Sequence, residues 1–293
     1  MKPSDFIHPE DAAALRQMES IPGFPTFVKK FFALGFEKLQ YGLNMASAVR
    51  LSPQQLPHLY NRLQPICQKM GIPEPEFYLE MDPMPNAWTF GDTKIFITIT
   101  SGLVEMMTEE ELDAVIAHEC GHILCRHVLY HSVANYILKG VDSLGILGAL
   151  TIPIQFAILY WQRKSELSCD RAASIITSPE TVARVMARLS GGPRSITENI
   201  NMQEWAKQAD IYESIRTDGM WNKTLQVGAI MAQDHPFSAV RVREILRWGE
   251  SEAYHNIKRN IDKKDTDLFC PNCHNKIDDS WAFCRYCGTK INK

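Results

Sequence analysis

No sign of charge dominates this 293-residue chain: 31 Lys and Arg stand against 34 Asp and Glu, a formal net charge of −3. That balance excludes a global pull toward nucleic acid or an anionic membrane. A disulfide framework is also missing. Of eight cysteines, Cys67, Cys120, Cys125 and Cys169 are scattered through apolar or helical contexts, and the rest crowd the C-terminal end. Such usage fits a reducing compartment. The opening Met1-Lys2-Pro3-Ser4-Asp5-Phe6 is polar and acidic, without the basic-then-apolar order of a secretory leader. Before residue 143 no apolar run reaches the roughly 20 residues a membrane-spanning helix needs. What the chain does have is 45% hydrophobic residues, enough for a sizeable core in one large domain or two.

The most informative stretch is Val115–Leu124, V-I-A-H-E-C-G-H-I-L. Thr108 and Glu111 upstream form a capping box, so a helix starts near Glu109 and runs past His122. Positions i and i+4 share a helix face, which lets His118 and His122 reach one zinc ion. Glu119 lies beside them, placed to act on a water at that ion. Between Leu112 and Leu124 only Asp113 and Glu119 carry charge, so the histidines project from an otherwise buried helix. His127 and His131 are read as polar or packing residues of the same helix. At about 100° per residue, His127 points away from His122 and makes a poor third ligand.

A catalytic zinc needs a third protein ligand and an open position. Glu166 and Asp170 stand four apart in Glu166-Leu167-Ser168-Cys169-Asp170, on one helix face. Glu166 can ligate the metal; Asp170, one turn on, can hydrogen-bond the far nitrogen of a ligand histidine. Between the two ligand segments, Ser143–Gln162 carries no charge and has the length of a membrane span. A single crossing would put the ligands on opposite sides of a hydrocarbon core about 30 Å thick, so the run is expected to be buried or docked at a surface.

Asn86–Phe90 and Lys94–Thr100 read as two strands around a tight turn. Ile95, Ile97 and Ile99 alternate with Phe96, Thr98 and Thr100 as on a half-buried strand. The strand edge near Asn86 and Ala87 either packs on the zinc helix or takes an extended peptide by strand addition. Thr26–Asn44 reads as an amphipathic helix, and Phe24–Asn44 is a candidate cover for the active-site groove. At the other end, Cys270-x-x-Cys273 and Cys284-x-x-Cys287 form a four-cysteine zinc ribbon, too small to fold without its metal.

With these residues in place, the chain resembles the gluzincin metallopeptidases of the HtpX and CAAX-prenyl-protease type. The resemblance runs from about Ile72 to Leu246 through Asn86-Ala87, His118-Glu119-Cys120-Gly121-His122, Glu166-Leu167-Ser168-Cys169-Asp170 and His235-Pro236 with Arg241. It implies zinc ligation by His118, His122 and Glu166, Glu119 as general base for a metal-activated water, and His235 as a stabiliser of the developing oxyanion. It also suggests substrate lying along the strand that begins at Asn86 and Ala87. The expected protein is a zinc endopeptidase of mainly α (α+β) class with a small antiparallel sheet. Residues 1–70 form an N-terminal helical extension, 71–259 the peptidase domain, 260–267 a linker and 268–293 the ribbon. Two zinc ions are expected, one catalytic and one structural. Protein or peptide is the expected substrate, and the ribbon is a candidate docking site for a protein partner rather than for nucleic acid. Placement is cytoplasmic, with membrane-surface association left open. The alternatives are a non-catalytic zinc scaffold and a membrane-associated quality-control protease.

Overall fold

The computed structural model describes residues 1–24, 26, 28, 35–138, 152–217, 237–265, 268–270, 272–273, 276–277 and 281–290. The chain opens with helices α1 (Pro3–Phe6) and α2 (Pro9–Glu19), each with proline in its first turn, where the missing N–H costs nothing. Helix α3 (Phe36–Ser47) follows Gly35, whose φ of 85° breaks the longer helix expected over Thr26–Asn44. Next come β1 (Val49–Arg50), α4 (Pro57–Met70), β2 (Glu76–Glu80), β3 (Ala87–Phe90) and β4 (Phe96–Thr100). Short α5 (Ser101–Met106) leads into α6 (Glu109–Leu124), the zinc-motif helix, and then α7 (Val128–Leu138) and α8 (Ile152–Ile176). The rest of the body is α9 (Pro179–Gly191), α10 (Arg194–Thr197), α11 (Met202–Thr217), α12 (Ser238–Gly249) and α13 (Glu252–Asp265). The ribbon contributes β5 (Leu268–Phe269) and β6 (Lys276–Ile277).

The four-stranded sheet has the order β1-β2-β4-β3. The expected hairpin is there, with Ala87 opposite Ile99 and Phe90 opposite Phe96. The sheet is nonetheless mixed rather than antiparallel, because β2 and β4 run parallel, Phe77 opposite Ile97. After β2 the chain reverses into β3 one position out, and the hairpin then folds β4 into the gap. β3 is left at the edge beside α6. All of β4 is buried, not half of it. Ile97 and Ile99 join the main core, while Phe96 on the other face packs with Tyr78, Phe90 and Tyr41 of α3. Glu37 of α3 fixes the hairpin turn by accepting the backbone N–H of Asp92, Thr93 and Lys94 at 2.7, 2.7 and 2.9 Å.

The main core joins α4 (Leu63, Met70), α6 (Ile116, Ala117, Cys120), α9 (Val182, Met186) and α12 (Val242, Ile245). At its centre α6 crosses α8 at Gly121. A Cβ there would stand 3.2 Å from both the Ala172 Cβ and the Cys169 Cα. Glycine thus allows the close approach that sets the two candidate ligand segments against each other.

Residues of the 1–70 stretch pack into the body. Phe6, Leu51, Leu59, Leu63 and Met70 belong to the main core, and Ala14 and Met18 of α2 pack with Phe24, Ile158 and Trp161 in a second cluster. Phe24 therefore sits behind α8 rather than over the groove, and of α3 it is Gln40 that reaches the cleft. The second half of the long apolar run starts α8, the helix that also carries Glu166 and Asp170; residues 143–151 lie outside the described residues. No described helix is long and apolar enough to cross a membrane. Residues 260–265, expected as linker, continue α13, with Ile257 and Ile261 on the core.

Candidate metal centre and active site

The capping box starts α6 as expected: the Glu111 N–H donates to Thr108 Oγ1 at 3.3 Å and the Thr108 N–H to Glu111 Oε2 at 2.9 Å. Two and three turns on, His118 and His122 meet α8. His118 Nε2 is 3.2 Å from Glu166 Oε2, and His122 Nε2 is 3.3 Å from Glu166 Oε1. Two donors each about 2.0–2.2 Å from a tetrahedral zinc ion stand about 3.3–3.6 Å apart. The three side chains thus sit close to the spacing that one ion requires. His122 and Glu166 are buried and His118 is nearly so.

Asp170 Oδ1 lies 3.1 Å from His118 Nδ1, one turn beyond Glu166, as the i+4 spacing requires. A carboxylate there takes the Nδ1 proton and leaves Nε2 to the metal. Burial alone would push the His118 ring toward neutrality, but Glu166 and Asp170 outweigh it and hold the group up at about 10. Metal uptake therefore displaces a proton. Arg241 of α12 anchors both carboxylates. Its Nε donates to Asp170 Oδ2 at 2.7 Å, its Nη2 to Asp170 Oδ1 at 2.5 Å, and its Nη1 is 3.2 Å from Glu166 Oε2. Burial acts to raise the Asp170 carboxyl, yet Arg241 and His118 keep it below its ordinary range.

Glu119 turns the other way, toward the sheet, where Thr89 Oγ1 donates to its Oε2 at 2.7 Å. Asn86, Ala87, Thr89, His118, Glu119, His122, Glu166 and Arg241 all line one cavity of about 590 Å³. The same cavity has apolar lining from Leu103, Val115, Val182, Val185, Met186 and Leu189. His235 lies outside the described residues.

The helix does not continue to His127 and His131. It ends at Leu124, Arg126 takes the left-handed φ of 60°, and α7 starts at Val128. That turn brings both histidines back against the zinc motif, with ring centroids 5.6 Å (His127) and 4.3 Å (His131) from His122. Both are buried, and burial holds both rings below the usual histidine range. Asp11 of α2 enters the same region. Its carboxylate accepts from Trp161 Nε1 at 3.1 Å and from Ser168 Oγ at 2.5 Å, and lies 3.2 Å from His127 Nε2, out of line for a full hydrogen bond. Cys169 presents its sulfur near His118 and His122, but burial pushes its thiol well above the ordinary range.

Thr89 and Asp11 could not be found from the sequence: a lone threonine in a strand and an aspartate in a first helical turn have ordinary explanations. Arg241 has a signal only through its place in the family pattern. The ribbon cysteines come together as expected. Cys270 and Cys287 sulfurs are 3.4 Å apart, and Cys273 and Cys284 sulfurs 3.5 Å. Hydrogen bonds from Thr289 hold the Cys287 thiol down at about 6, which favours the thiolate a metal takes.

The residue types of His118, Glu119, His122 and Glu166, at this spacing, are those of a zinc-dependent protease site. The family comparisons agree: residues 53–249 match Peptidase family M48, and residues 269–291 match a zinc-ribbon domain. The chain belongs to the M48 metallopeptidases and uses zinc both in the peptidase unit and in the ribbon. Among individual proteins it is similar to the plastoglobule-localized metallopeptidase 48 of Arabidopsis thaliana chloroplasts, 32% identical over 89% of this chain and 77% of that protein. It is also similar to HtpX protease homologues of Trichormus variabilis, 28% identical over 57% of this chain and 68% of the relative, and Tropheryma whipplei, 36% identical over 56% and 69%.

Proposed function

We propose that His118, His122 and Glu166 hold the catalytic zinc and that Glu119 is the general base. The observation that carries this reading is the pair of 3.2 and 3.3 Å contacts that Glu166 makes with the two histidine Nε2 atoms. When bound, zinc supplies a Lewis acid for the scissile carbonyl and acidifies the attacking water. Glu119 accepts the proton of that water and delivers it to the leaving amine. The Thr89 hydroxyl fixes its carboxylate by occupying Oε2, which leaves Oε1 for the proton. Asp170 commits His118 Nε2 to the metal, and Arg241 holds Asp170 and Glu166 in place. His235 is assigned the oxyanion on the family pattern alone.

The substrate backbone pairs with the free edge of β3. Asn86 bonds inward, its N–H to Thr100 Oγ1 at 2.9 Å, whereas among the described residues the Ala87 N–H has Asn86 Oδ1 at 2.9 Å as its acceptor. That side-chain bond is one a peptide carbonyl can replace. Residues 71–259 then form the catalytic unit with α2 and α4 packed into it, and 268–293 the ribbon, whose role is to dock a protein partner. Placement is cytoplasmic, with the body resting peripherally on a lipid surface. The exposed apolar side chains Leu39, Leu43, Met45 and Val49 favour such contact, and one similar protein is plastoglobule-localized by name. Sedimentation with phospholipid vesicles tests the last point.

Hydrolysis of unfolded casein by wild type and Glu119→Gln tests the assignment. The variant is expected to lose about 10²–10⁴-fold in rate while keeping two zinc ions per chain. Full activity in the variant, or none in zinc-loaded wild type, refutes it.

A further inference from the structure

Met81 and Met84 stand on the loop between β2 and β3, 84% and 70% exposed. Among the described residues no large hydrophobic side chain is more exposed than Met81. One apolar side chain in water is ordinary; two on a single loop ask for a reason if the loop is held in place. It is held. The Asp82 carbonyl accepts from the Gly102 N–H at 2.9 Å and from Ser101 Oγ at 3.1 Å. The Met84 carbonyl accepts from Thr100 Oγ1 at 2.8 Å, and the Met84 N–H donates to Asp82 Oδ1 at 2.8 Å. Pro83 and Pro85 fix φ on either side of Met84. The loop lies so close to α5 that a Cβ on Gly102 would stand 2.2 Å from the Pro83 carbonyl oxygen. Side chains displayed from a clamped backbone lose less freedom on binding.

The loop also runs alongside the active cavity. Glu80, Asp82, Pro85 and Asn86 line that cavity, and the exposed Met81 and Met84 alternate with them in the chain. Asn86 leads directly into β3, whose free edge is assigned the substrate backbone. An extended chain advances about 3.3 Å per residue, so a polypeptide laid on β3 comes level with Met84 about 10 Å beyond Ala87. The cavity itself says which polypeptide. Val182, Val185, Met186 and Leu189 of α9 line it, the i, i+3, i+4, i+7 face of one helix. Leu103 of α5, the helix that clamps the loop, lines it too. Such a lining takes apolar side chains. Methionine, unbranched and polarizable, adapts to apolar side chains of different shape.

We propose that Met81 and Met84 form a docking rim for the polypeptide substrate, engaging an apolar stretch of the same chain a few residues beyond the bond that is cut. Neither side chain touches the reacting atoms. The rim acts on capture, and peptides too short to reach it do not feel it. It also selects for unfolded protein, since only an unfolded chain offers an extended backbone to β3 and apolar side chains to the rim at once. The proposal rests on the substrate-strand reading above.

Paired casein peptides test it on the full-length, zinc-loaded protein. The short peptide has about six residues around a bond that the wild type cuts; two long ones extend it at one end or the other by about eight residues rich in Leu and Phe. With Met81→Gln and Met84→Gln together, kcat/KM is expected to fall about tenfold on one long peptide. The loss should lie in KM, with kcat and the short peptide unchanged. Met81→Leu with Met84→Leu should keep wild-type values. Equal losses on short and long peptides, or no loss on either long one, overturn the proposal. If the Gln variant instead sediments less with phospholipid vesicles at unchanged KM, the methionines contact lipid and the rim falls. Fluorescence anisotropy of labelled peptides on Glu119→Gln separates capture from chemistry. There one long peptide should bind about tenfold tighter than the short one and lose that margin when both methionines become Gln. If the wild type cuts nothing, the peptidase reading fails, and this binding, run on casein peptides of the same two lengths, still decides the rim: equal affinity for short and long overturns it.

Discussion

The two zinc regions of this chain solve opposite problems. In the peptidase body the proposed donors are braced by the surrounding core: α6 and α8 meet at Gly121, and Arg241 and Asp170 contact Glu166 and His118. There the protein supports the metal. In the ribbon, the sulfurs come together in pairs 3.4 and 3.5 Å apart, and among the described residues the apolar cluster around them is Cys270, Cys284, Cys273 and Trp281. There the metal supports the protein. Preorganisation is a property of the surrounding core, not of the ligands.

The sharpest way to break this contrast is to remove the support in the body. Arg241→Leu leaves Glu166 and Asp170 buried without their counter-charge, and metal-free protein is expected to lose about 3–5 kcal/mol in urea unfolding. Excess zinc should recover part of that loss, since the ion then neutralises Glu166. An equal deficit with and without zinc would show that the body is indifferent to its metal. Next in size, Asp11→Ala strips the acceptor from Trp161 and Ser168 and should cost about 1–3 kcal/mol. The same logic makes removal of residues 1–19 lower peptidase activity, where a groove cover would raise it.

A smaller effect is set by pH. His8 Nε2 stands 3.7 Å from Glu244 Oε2, and with Arg243 it outweighs burial and holds that carboxyl down at about 2, against an ordinary 4.5. Its contribution is fully present above pH 4.5 and is lost as pH falls toward 2. Glu244→Gln should therefore flatten the acid limb of the stability curve in that window and change little at pH 7 beyond a constant offset. The smallest expected effect is the most telling for the comparison. Cys273→Ser should cost the ribbon its zinc while moving the melting transition of the body by less than about 0.5 kcal/mol. A larger shift would mean that the ribbon braces the peptidase.

The chemistry of the site was legible because it is periodic. His118 and His122 at i and i+4, and Glu166 and Asp170 at the same interval, show their shared faces in the letters alone, and the paired C-x-x-C knuckles do likewise. The helix end after Leu124 was not legible: Cys125-Arg126-His127 contains neither glycine nor proline, and Arg126 adopts φ 60° without a local signal. The sequence reading consequently carried His127 and His131 away from the metal on a helix that has already stopped. The parallel pairing of β2 with β4 was hidden as well, because strand order depends on which gap the hairpin fills. Asp11 was beyond reach for a different reason. Its partners Trp161 and Ser168 are 150 and 157 residues away, and no spacing rule spans that distance.

The place of Arg241 in the chain also sets a schedule. Glu166 is made 75 residues before the arginine that neutralises it, a delay of roughly 4–15 s at about 5–20 residues per second of synthesis. During that interval two carboxylates and two histidines have no stable reason to share a dry interior, and the cleft that they line has no floor. A growing chain therefore carries both histidines, Glu119, Glu166 and Asp170 for several seconds before Arg241, the counter-charge to the last two, has been made.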